Sequence, residues 1–221
     1  AVASLNHDVT KCILISTDKA CQPVNVYGST KFIAERIFTN LDYDSEDTLF
    51  CSVRYGNVIA SRGSFIPHWM ETISQGDGIN VTSMEMTRFL FTLNDAVDTV
   101  LKALELSEGG EVFVPKISSF KMSVIIDAIK KITEVRKIES SIIGVRPGEK
   151  LHEDMLAKTE LDFTYVADDG RLLAVTPQYT RRKHSYAHKY DGPEFNSSLH
   201  NNDDVALLCS LINRGLSETV E

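Results

Sequence analysis

Residues 11–36 of this 221-residue chain read KCILISTDKACQPVNVYGSTKFIAER. Residues 12–15 form an apolar run that is rich in β-branched residues and too short for a helix, so we predict a buried strand. Four polar residues, STDK, follow at 16–19. In open α/β sheets, ligands bind at the carboxyl ends of the strands, which is the position these residues would occupy. Residues 27–39 then repeat with helical period. A strand, a polar turn and a helix therefore decide the fold.

Tyr27 and Lys31 are four residues apart, which places them on one face of the predicted helix. A cation beside a phenol favours the phenolate. A phenol tuned in this way can take the proton of a hydroxyl group while a hydride leaves the same carbon. The alternative is that Tyr27 is an ordinary half-buried tyrosine and Lys31 a solvated lysine. The polar strand end upstream favours the catalytic interpretation.

Four motifs follow one another along the chain: STDKA with PVNVYGSTK, VRYGNVIASRGSFIP, MTRF, and RPGEKLHE. Together they resemble the extended short-chain dehydrogenase/reductase superfamily, and within it the inverting UDP-N-acetylglucosamine 4,6-dehydratases of polysaccharide biosynthesis. The resemblance covers about residues 1–156. It implies an α/β fold, namely the C-terminal portion of a Rossmann-type doubly wound parallel sheet plus a smaller α+β substrate-binding region.

The resemblance also implies a division of the chain. Residues 1–60 would be the remaining part of the Rossmann-type domain, and residues 61–221 mainly a sugar-nucleotide-binding region, with residues 79–106 returning to the Rossmann sheet. The chain contains no GxGxxG fingerprint, which lies on the first βα turn of such folds. We therefore expect the N-terminal cofactor-binding half, about 100 residues, to be absent from this sequence.

The family resemblance implies five catalytic residues. Tyr27 would be the base at carbon 4 of the sugar, and Lys31 would hold the ribose of NADP (or NAD) beside it. Lys19 would remove the proton on carbon 5, and Asp18 would protonate the hydroxyl group that leaves carbon 6. Thr17 would hydrogen-bond the sugar near the reacting hydroxyl group.

Five further residues are implied in binding a UDP-sugar. By resemblance, Asn57 would contact the pyrophosphate region, Arg88 and Arg146 the phosphates, and Glu149 the ribose hydroxyl groups. Arg62 is added from its own chemistry, because a guanidinium is a suitable cation for phosphate. Four of them have a simpler interpretation, which for Glu149 is an exposed position in a turn. Asn57 follows a glycine and suits a turn, Arg62 suits a plain loop, and an isolated arginine such as Arg88 suits a surface ion pair.

Two details bear on the substrate. Dehydratases of UDP- or dTDP-glucose typically carry Asp-Glu where this chain has Asp18-Lys19, which favours an N-acetylated sugar. Retaining relatives carry Met at the position of Tyr27, which favours inversion at carbon 5. Two other functions stay open. One is a nucleotide-sugar 4-epimerase, which has no use for Asp18 and Lys19, and the other is a non-catalytic sugar-nucleotide-binding remnant.

Composition limits the remaining classes. With 43% hydrophobic and 24% charged residues, the chain is typical of a globular protein. A net charge of −8 argues against a nucleic-acid partner, and the absence of an apolar run of about 18 residues argues against a membrane span. The four cysteines lack CxxC spacing, so we expect reduced thiols, no metal site and a cytoplasmic protein.

The helix that carries Tyr27 also carries four apolar residues: Phe32, Ile33, Ile37 and Phe38. Relatives pair through this helix, so the resemblance implies a homo-oligomer. The same four residues would serve equally well as core.

Overall fold

The computed structural model describes residues 1–218. Its helices are α1 (Val2–Leu5), α2 (Val26–Asp44), α3 (Phe65–Ser74), α4 (Leu93–Leu106), α5 (Met122–Thr133) and α6 (Val205–Glu218). Its strands are β1 (Lys11–Ile15), β2 (Leu49–Val53), β3 (Asn57–Val58), β4 (Ile79–Val81), β5 (Thr87–Phe91), β6 (Val112–Pro115), β7 (Ser119–Lys121), β8 (Ser140–Ile142), β9 (Asp154–Leu156), β10 (Thr164–Ala167), β11 (Leu172–Val175) and β12 (Phe195–Asn196).

The chain forms two compact units, each built from three stretches of sequence. Unit 1 comprises Ala1–Tyr55, Val97–Lys116 and Asp154–Phe195. Unit 2 comprises Gly56–Ala96, Ile117–Glu153 and the residues from Asn196 onward.

Unit 1 is built on a five-stranded sheet in the order β1-β2-β6-β11-β10. Strands β1 and β2 are parallel, with Lys11 opposite Leu49 and Ile15 opposite Val53. Strand β6 continues the parallel part, and β11 and β10 add an antiparallel hairpin. The predicted α/β fold class is confirmed. Because β1 and β2 are parallel, the polar residues after each strand emerge at the same edge of the sheet.

Helix α2 connects β1 to β2. Asn25 caps it by accepting a hydrogen bond from the N–H of Gly28 at 2.8 Å. We expected the helix to end near residue 40, but it continues to Asp44. Asp42 explains the difference, because its buried carboxylate accepts hydrogen bonds from the N–H of Phe50 at 3.0 Å and from Arg182 Nε at 2.9 Å. These tertiary contacts stabilise a last turn that the local sequence does not indicate.

The apolar face of α2 divides between core and solvent. Phe38 packs edge-on against Phe50, with ring centroids 5.5 Å apart. Phe32, Ile33 and Ile37 are 39%, 55% and 49% exposed. These three side chains therefore form an apolar surface within unit 1.

Unit 2 contains short strands and three packed helices. Strand β4 pairs with β8, and β5 pairs with β3 and β7. Neither β4 nor β5 belongs to the five-stranded sheet, although residues 79–106 were expected to return to it; of that stretch, the part from Val97 onward lies in unit 1. The short apolar runs of β4 and β5 find partners within their own unit. The division into domains stays a prediction.

Candidate active site

The carboxyl end of β1 gathers three of the predicted catalytic residues in unit 1. Thr17 Oγ1 donates a hydrogen bond to Asp18 Oδ1 at 2.9 Å, and Lys19 Nζ contacts the same oxygen at 2.9 Å. The Asp18 side chain is fully buried, whereas 31% of the Lys19 side chain is exposed. Asp18 N–H donates to the carbonyl of Tyr55 at 2.7 Å, which fixes this turn against the end of β2. A hydroxyl, a carboxyl and an amine thus form one cluster.

The second oxygen of Asp18 is unusual. Oδ2 is buried and has no hydrogen-bond partner among residues 1–218. A buried polar atom without a partner is costly, so such atoms mark places where a proton or a ligand group belongs. The Asp18 carboxyl can therefore hold a proton on Oδ2 or accept a hydroxyl group there.

Tyr27 and Lys31 lie on the first turns of α2, as predicted. The Tyr27 ring is 53% exposed, and Lys31 Nζ donates to the carbonyl of Ile15 at 3.0 Å. Gly28 is buried, and a Cβ at this position would lie only 2.2 Å from the carbonyl oxygen of Lys19. The glycine after Tyr27 therefore lets the start of α2 approach the backbone that carries Asp18 and Lys19.

A buried ionic network connects the same elements. Arg54, at the end of β2, is 1% exposed and bonds Glu35 of α2 through Nε at 3.1 Å and Nη2 at 2.9 Å. It also bonds both carboxylate oxygens of Glu160 at 2.8 Å and the carbonyl of Met155 at 2.8 Å. Ser16 Oγ donates to Glu35 Oε1 at 2.6 Å. This network of hydrogen bonds and ion pairs thus connects helix α2 to the ends of β1 and β2.

Burial and charge act in opposite directions in this network. Burial opposes ionisation of Arg54, but Glu160 and Glu35 outweigh it and raise the arginine pKa well above its ordinary value. Burial likewise acts to raise the pKa of Glu160, but Arg54 outweighs it and the pKa is lowered. Burial raises the pKa of nearby Tyr55 to about 12, so this phenol keeps its proton at neutral pH.

Unit 2 contains a separate cavity of about 660 Å³. Three of the predicted substrate-binding residues line it: Arg88, Arg146 and Glu149. Its other wall is aromatic, since Phe65 and Trp69 of α3 meet edge-to-face with centroids 5.1 Å apart. Cavities of this size with apolar walls and a few convergent polar groups are typical ligand sites.

Arg88 contacts the RPGEKLHE segment, residues 146–153, which follows β8. Its guanidinium donates to the carbonyls of Lys150 at 3.2 Å and Leu151 at 3.4 Å, and its Nε lies 3.7 Å from Glu153 Oε1. Glu149 Oε2 accepts from the N–H of Arg146 at 3.1 Å, which closes the RPGE turn. Arg88 therefore holds in place the segment that presents Arg146 and Glu149.

Asn57 and Arg62 are not among the residues that line this cavity. Asn57 begins β3, and its Oδ1 is buried without a hydrogen-bond partner among residues 1–218. Arg62 is exposed. Next to Asn57, a Cβ on Gly56 would lie 2.7 Å from the Cβ of Phe89, so the glycine permits close packing there.

Sequence reasoning missed part of the cavity. Phe65, His68, Trp69 and Thr72 all line it, and their spacing of three and four residues places them on one face of α3. That spacing was a usable signal, and His68 lies on this face although it is exposed. Asn80 on β4 also lines the cavity, and no pattern in its neighbourhood indicated this.

Comparison with known proteins identifies the family. Residues 1–172 match the family described as polysaccharide biosynthesis protein. The chain belongs to this family. Its fold is that of Rossmann-type short-chain dehydrogenase/reductases, to which the resemblance had pointed.

Three relatives illustrate the similarity. The chain is 42% identical to a UDP-N-acetylglucosamine 4,6-dehydratase (inverting) of Campylobacter jejuni, covering 74% of this chain and 48% of that protein. It is 36% identical to a UDP-glucose 4-epimerase of Rickettsia rickettsii, covering 92% of this chain and 62% of that protein. The X-ray structure of Pen from Bacillus thuringiensis has a TM-score of 0.82 at 30% identity, over 96% of this chain and 64% of that chain. The chain thus spans only about half to two thirds of the length of these relatives.

The described residues also bear on metal sites and membrane spans. Within residues 1–218, no group of three or more His, Cys, Asp or Glu side chains is placed to hold a metal ion. No helix in the same range is both long and apolar enough to span a membrane.

Proposed function

We propose that this chain carries the sugar-nucleotide and proton-transfer part of a UDP-N-acetylhexosamine 4,6-dehydratase that inverts carbon 5. The substrate would be UDP-N-acetylglucosamine, and the product would serve surface glycan synthesis. The observation that carries the proposal is the Thr17–Asp18–Lys19 cluster, where a buried carboxyl group and an amine share a 2.9 Å hydrogen bond. The inverting dehydratase at 42% identity supports the same reaction.

In the first step, Tyr27 acts as a base and takes the proton of the hydroxyl group on carbon 4 as that carbon is oxidised. A ketone at carbon 4 acidifies the proton on carbon 5. If the proton on Lys19 moves to Asp18 along their hydrogen bond, the amine becomes a base and the carboxyl an acid. Lys19 then removes the proton on carbon 5, Asp18 protonates the hydroxyl group on carbon 6, and water leaves. A proton from water then reaches carbon 5 on its opposite face, which gives inversion, and Tyr27 returns the proton it took to water.

The residues present fit one end of a nicotinamide dinucleotide. The exposed Tyr27 phenol and Lys31 ammonium supply the donors that would face the nicotinamide and its ribose. When bound, NADP would accept the hydride from carbon 4 and return it at carbon 6. Solved structures with this fold include complexes with NAD and UDP-sugars, although residues 1–221 contain no glycine-rich fingerprint for the pyrophosphate.

The nucleotide would occupy the unit 2 cavity. Arg146 supplies a cation for the phosphates, and Glu149 supplies a carboxylate for ribose hydroxyl groups. Phe65 and Trp69 offer aromatic surfaces for the base. The role of Arg88 would be to hold the RPGE turn, in addition to any contact with phosphate.

The test is product analysis by NMR after mixing UDP-N-acetylglucosamine and NADP in D₂O. The chain would be assayed as it stands and within the complete reading frame that carries it, and we expect turnover only in the latter. A dehydratase gives a 4-keto-6-deoxy sugar with deuterium at carbon 5. An epimerase, the function named for the Rickettsia relative, leaves the hydroxyl group on carbon 6 intact.

Variants assign the roles. Lys19→Ala in the complete protein should abolish dehydration and leave UDP binding unchanged, because Lys19 is not among the residues that line the cavity proposed for the nucleotide. Full dehydration by this variant would show that the base assignment is wrong. Saturable UDP binding with no turnover in any form would favour the non-catalytic alternative.

A further inference from the structure

A second cavity, of about 410 Å³, lies wholly within unit 1, and no role in the proposed reaction uses it. One wall is the loop Ala20–Pro23 that follows Lys19. The other lining residues are Phe32 and Arg36 of α2, Arg54 after β2, Ala157, Thr159, Glu160 and Phe163, and residues 175–178. The volume falls within the range of pockets that bind small organic molecules.

The deepest charged group of this cavity is Arg54, which has no capacity for a ligand. All five N–H groups of its guanidinium are engaged by Glu35, Glu160 and the carbonyl of Met155. A ligand therefore cannot accept a hydrogen bond from Arg54, and the other residues that line the cavity have to bind it.

Arg36 is the wall residue able to bind an anion. Its side chain is 45% exposed and lies 3.8 Å from Glu35, and its guanidinium carbon lies 5.5 Å from the centroid of the Phe32 ring. At 3.8 Å the contact with Glu35 is an ion pair beyond normal hydrogen-bond length. The N–H groups of Arg36 can thus turn to a carboxylate, for which a guanidinium is a well-matched donor.

The rest of the wall is mostly apolar. It is formed by Pro23, Phe32, Phe163, Val175 and Pro177, with Thr159 and Gln178 at its polar edge. A flat apolar body would lie against these rings while its charged group met Arg36. Of the two arginines that line the cavity, Arg54 is already paired with Glu35 and Glu160, so Arg36 offers a single positive charge and a singly charged anion suits the site better than a doubly charged one.

We propose that this cavity binds a small organic monoanion, namely a carboxylate attached to a ring-sized apolar body. The ligand would contact the loop Ala20–Pro23, in which Gln22 has a left-handed backbone with φ of 48°. Since this loop directly follows Lys19, an occupant would also restrain the segment that carries the candidate base.

The experiment is an NMR titration of the full chain, labelled with ¹⁵N, with benzoate, and separately with inorganic phosphate at the same pH and ionic strength. Benzoate should give saturable shifts in the loop Ala20–Pro23, at Arg36 and in residues 175–178. A compact ligand with one charge contact is expected to have a Kd of about 1–10 mM. Phosphate should bind at least tenfold more weakly, because it lacks the apolar body.

Two variants and a control make the result decisive. Arg36→Gln should weaken benzoate binding about tenfold, and Gln178→Trp, at an exposed position, should block the cavity. Arg136→Gln, which removes an exposed arginine in unit 2, should leave the affinity unchanged. Circular dichroism verifies that each variant is folded.

Three results would overturn the proposal. They are the absence of saturable shifts with benzoate, equal affinity in Arg36→Gln and the unchanged chain, and shifts confined to the unit 2 cavity. Binding of phosphate as tight as that of benzoate would contradict the assigned ligand class.

Discussion

Replacing Arg54 by methionine would leave Glu35 and Glu160 without their shared cation in the interior of unit 1. Glu35 is fully buried and the Glu160 side chain is 18% exposed, so water cannot replace the lost charge well. Removing one partner of a buried ionic group typically costs about 3–5 kcal/mol. With a urea m-value of about 2–3 kcal/mol per M, the unfolding midpoint should fall by about 1–2.5 M.

The pH dependence distinguishes this explanation from a simple loss of packing. The pKa of Glu160 is lowered in the folded chain, so its stabilisation is present above the unfolded pKa and is lost as pH falls through the folded pKa. In Arg54→Met, the unpaired carboxylates are instead relieved by protonation at low pH. The difference in the free energy of unfolding between the two proteins should therefore shrink between pH 7 and pH 4.

The assay is urea unfolding followed by circular dichroism and by fluorescence at both pH values. Trp69 is the only tryptophan and lies in unit 2, so its fluorescence shows whether both units unfold together. Arg136→Met is the matched control, because it removes an exposed arginine and should change the unfolding free energy by less than about 0.5 kcal/mol. A loss below about 1 kcal/mol for Arg54→Met, or an equal loss at both pH values, would refute the reasoning.

Three other predictions concern single positions. Gly28→Ala should destabilise the chain by about 2 kcal/mol or more in urea unfolding, because the new Cβ would lie 2.2 Å from the Lys19 carbonyl oxygen. Thr30→Ala, at an exposed position of the same helix, is the control. Arg88→Met should weaken UDP binding at least about tenfold in calorimetry, because the RPGE turn loses its anchor; unchanged affinity would mean that the turn holds itself. Cys51 is 1% exposed, and burial raises its pKa to about 12, so a thiol reagent at pH 8 should modify it last, and early labelling would contradict its placement.

Much of the fold could be predicted from local sequence patterns. The apolar spacing of residues 96, 97, 100, 101 and 104 predicts a helix over 93–106, which are the bounds of α4, and Asp168-Asp169-Gly170 predicts the turn that joins β10 to β11. These elements carry their periodicity, caps and turn residues within a few positions. The polar cluster after β1 could be placed for the same reason.

The contacts between distant residues could not be predicted. Arg54 resembles the polar end of an ordinary strand, and only the folded chain brings it between Glu35 and Glu160, the latter 106 positions away. Arg182 stands in a basic run, residues 180–184, that is typical of a solvated loop, yet it pairs with buried Asp42 at 2.9 Å. Period and propensity carry no information about such partners.

The shared use of Arg54 by two carboxylates has a consequence for evolution. Loss of any one member exposes the others to an uncompensated charge, so single replacements at positions 35, 54 and 160 should be rare in related chains. Lineages that abandon one charge should have replaced its partners as well, and the three columns of an alignment should vary together. We therefore expect the three charged residues to be retained together or replaced together.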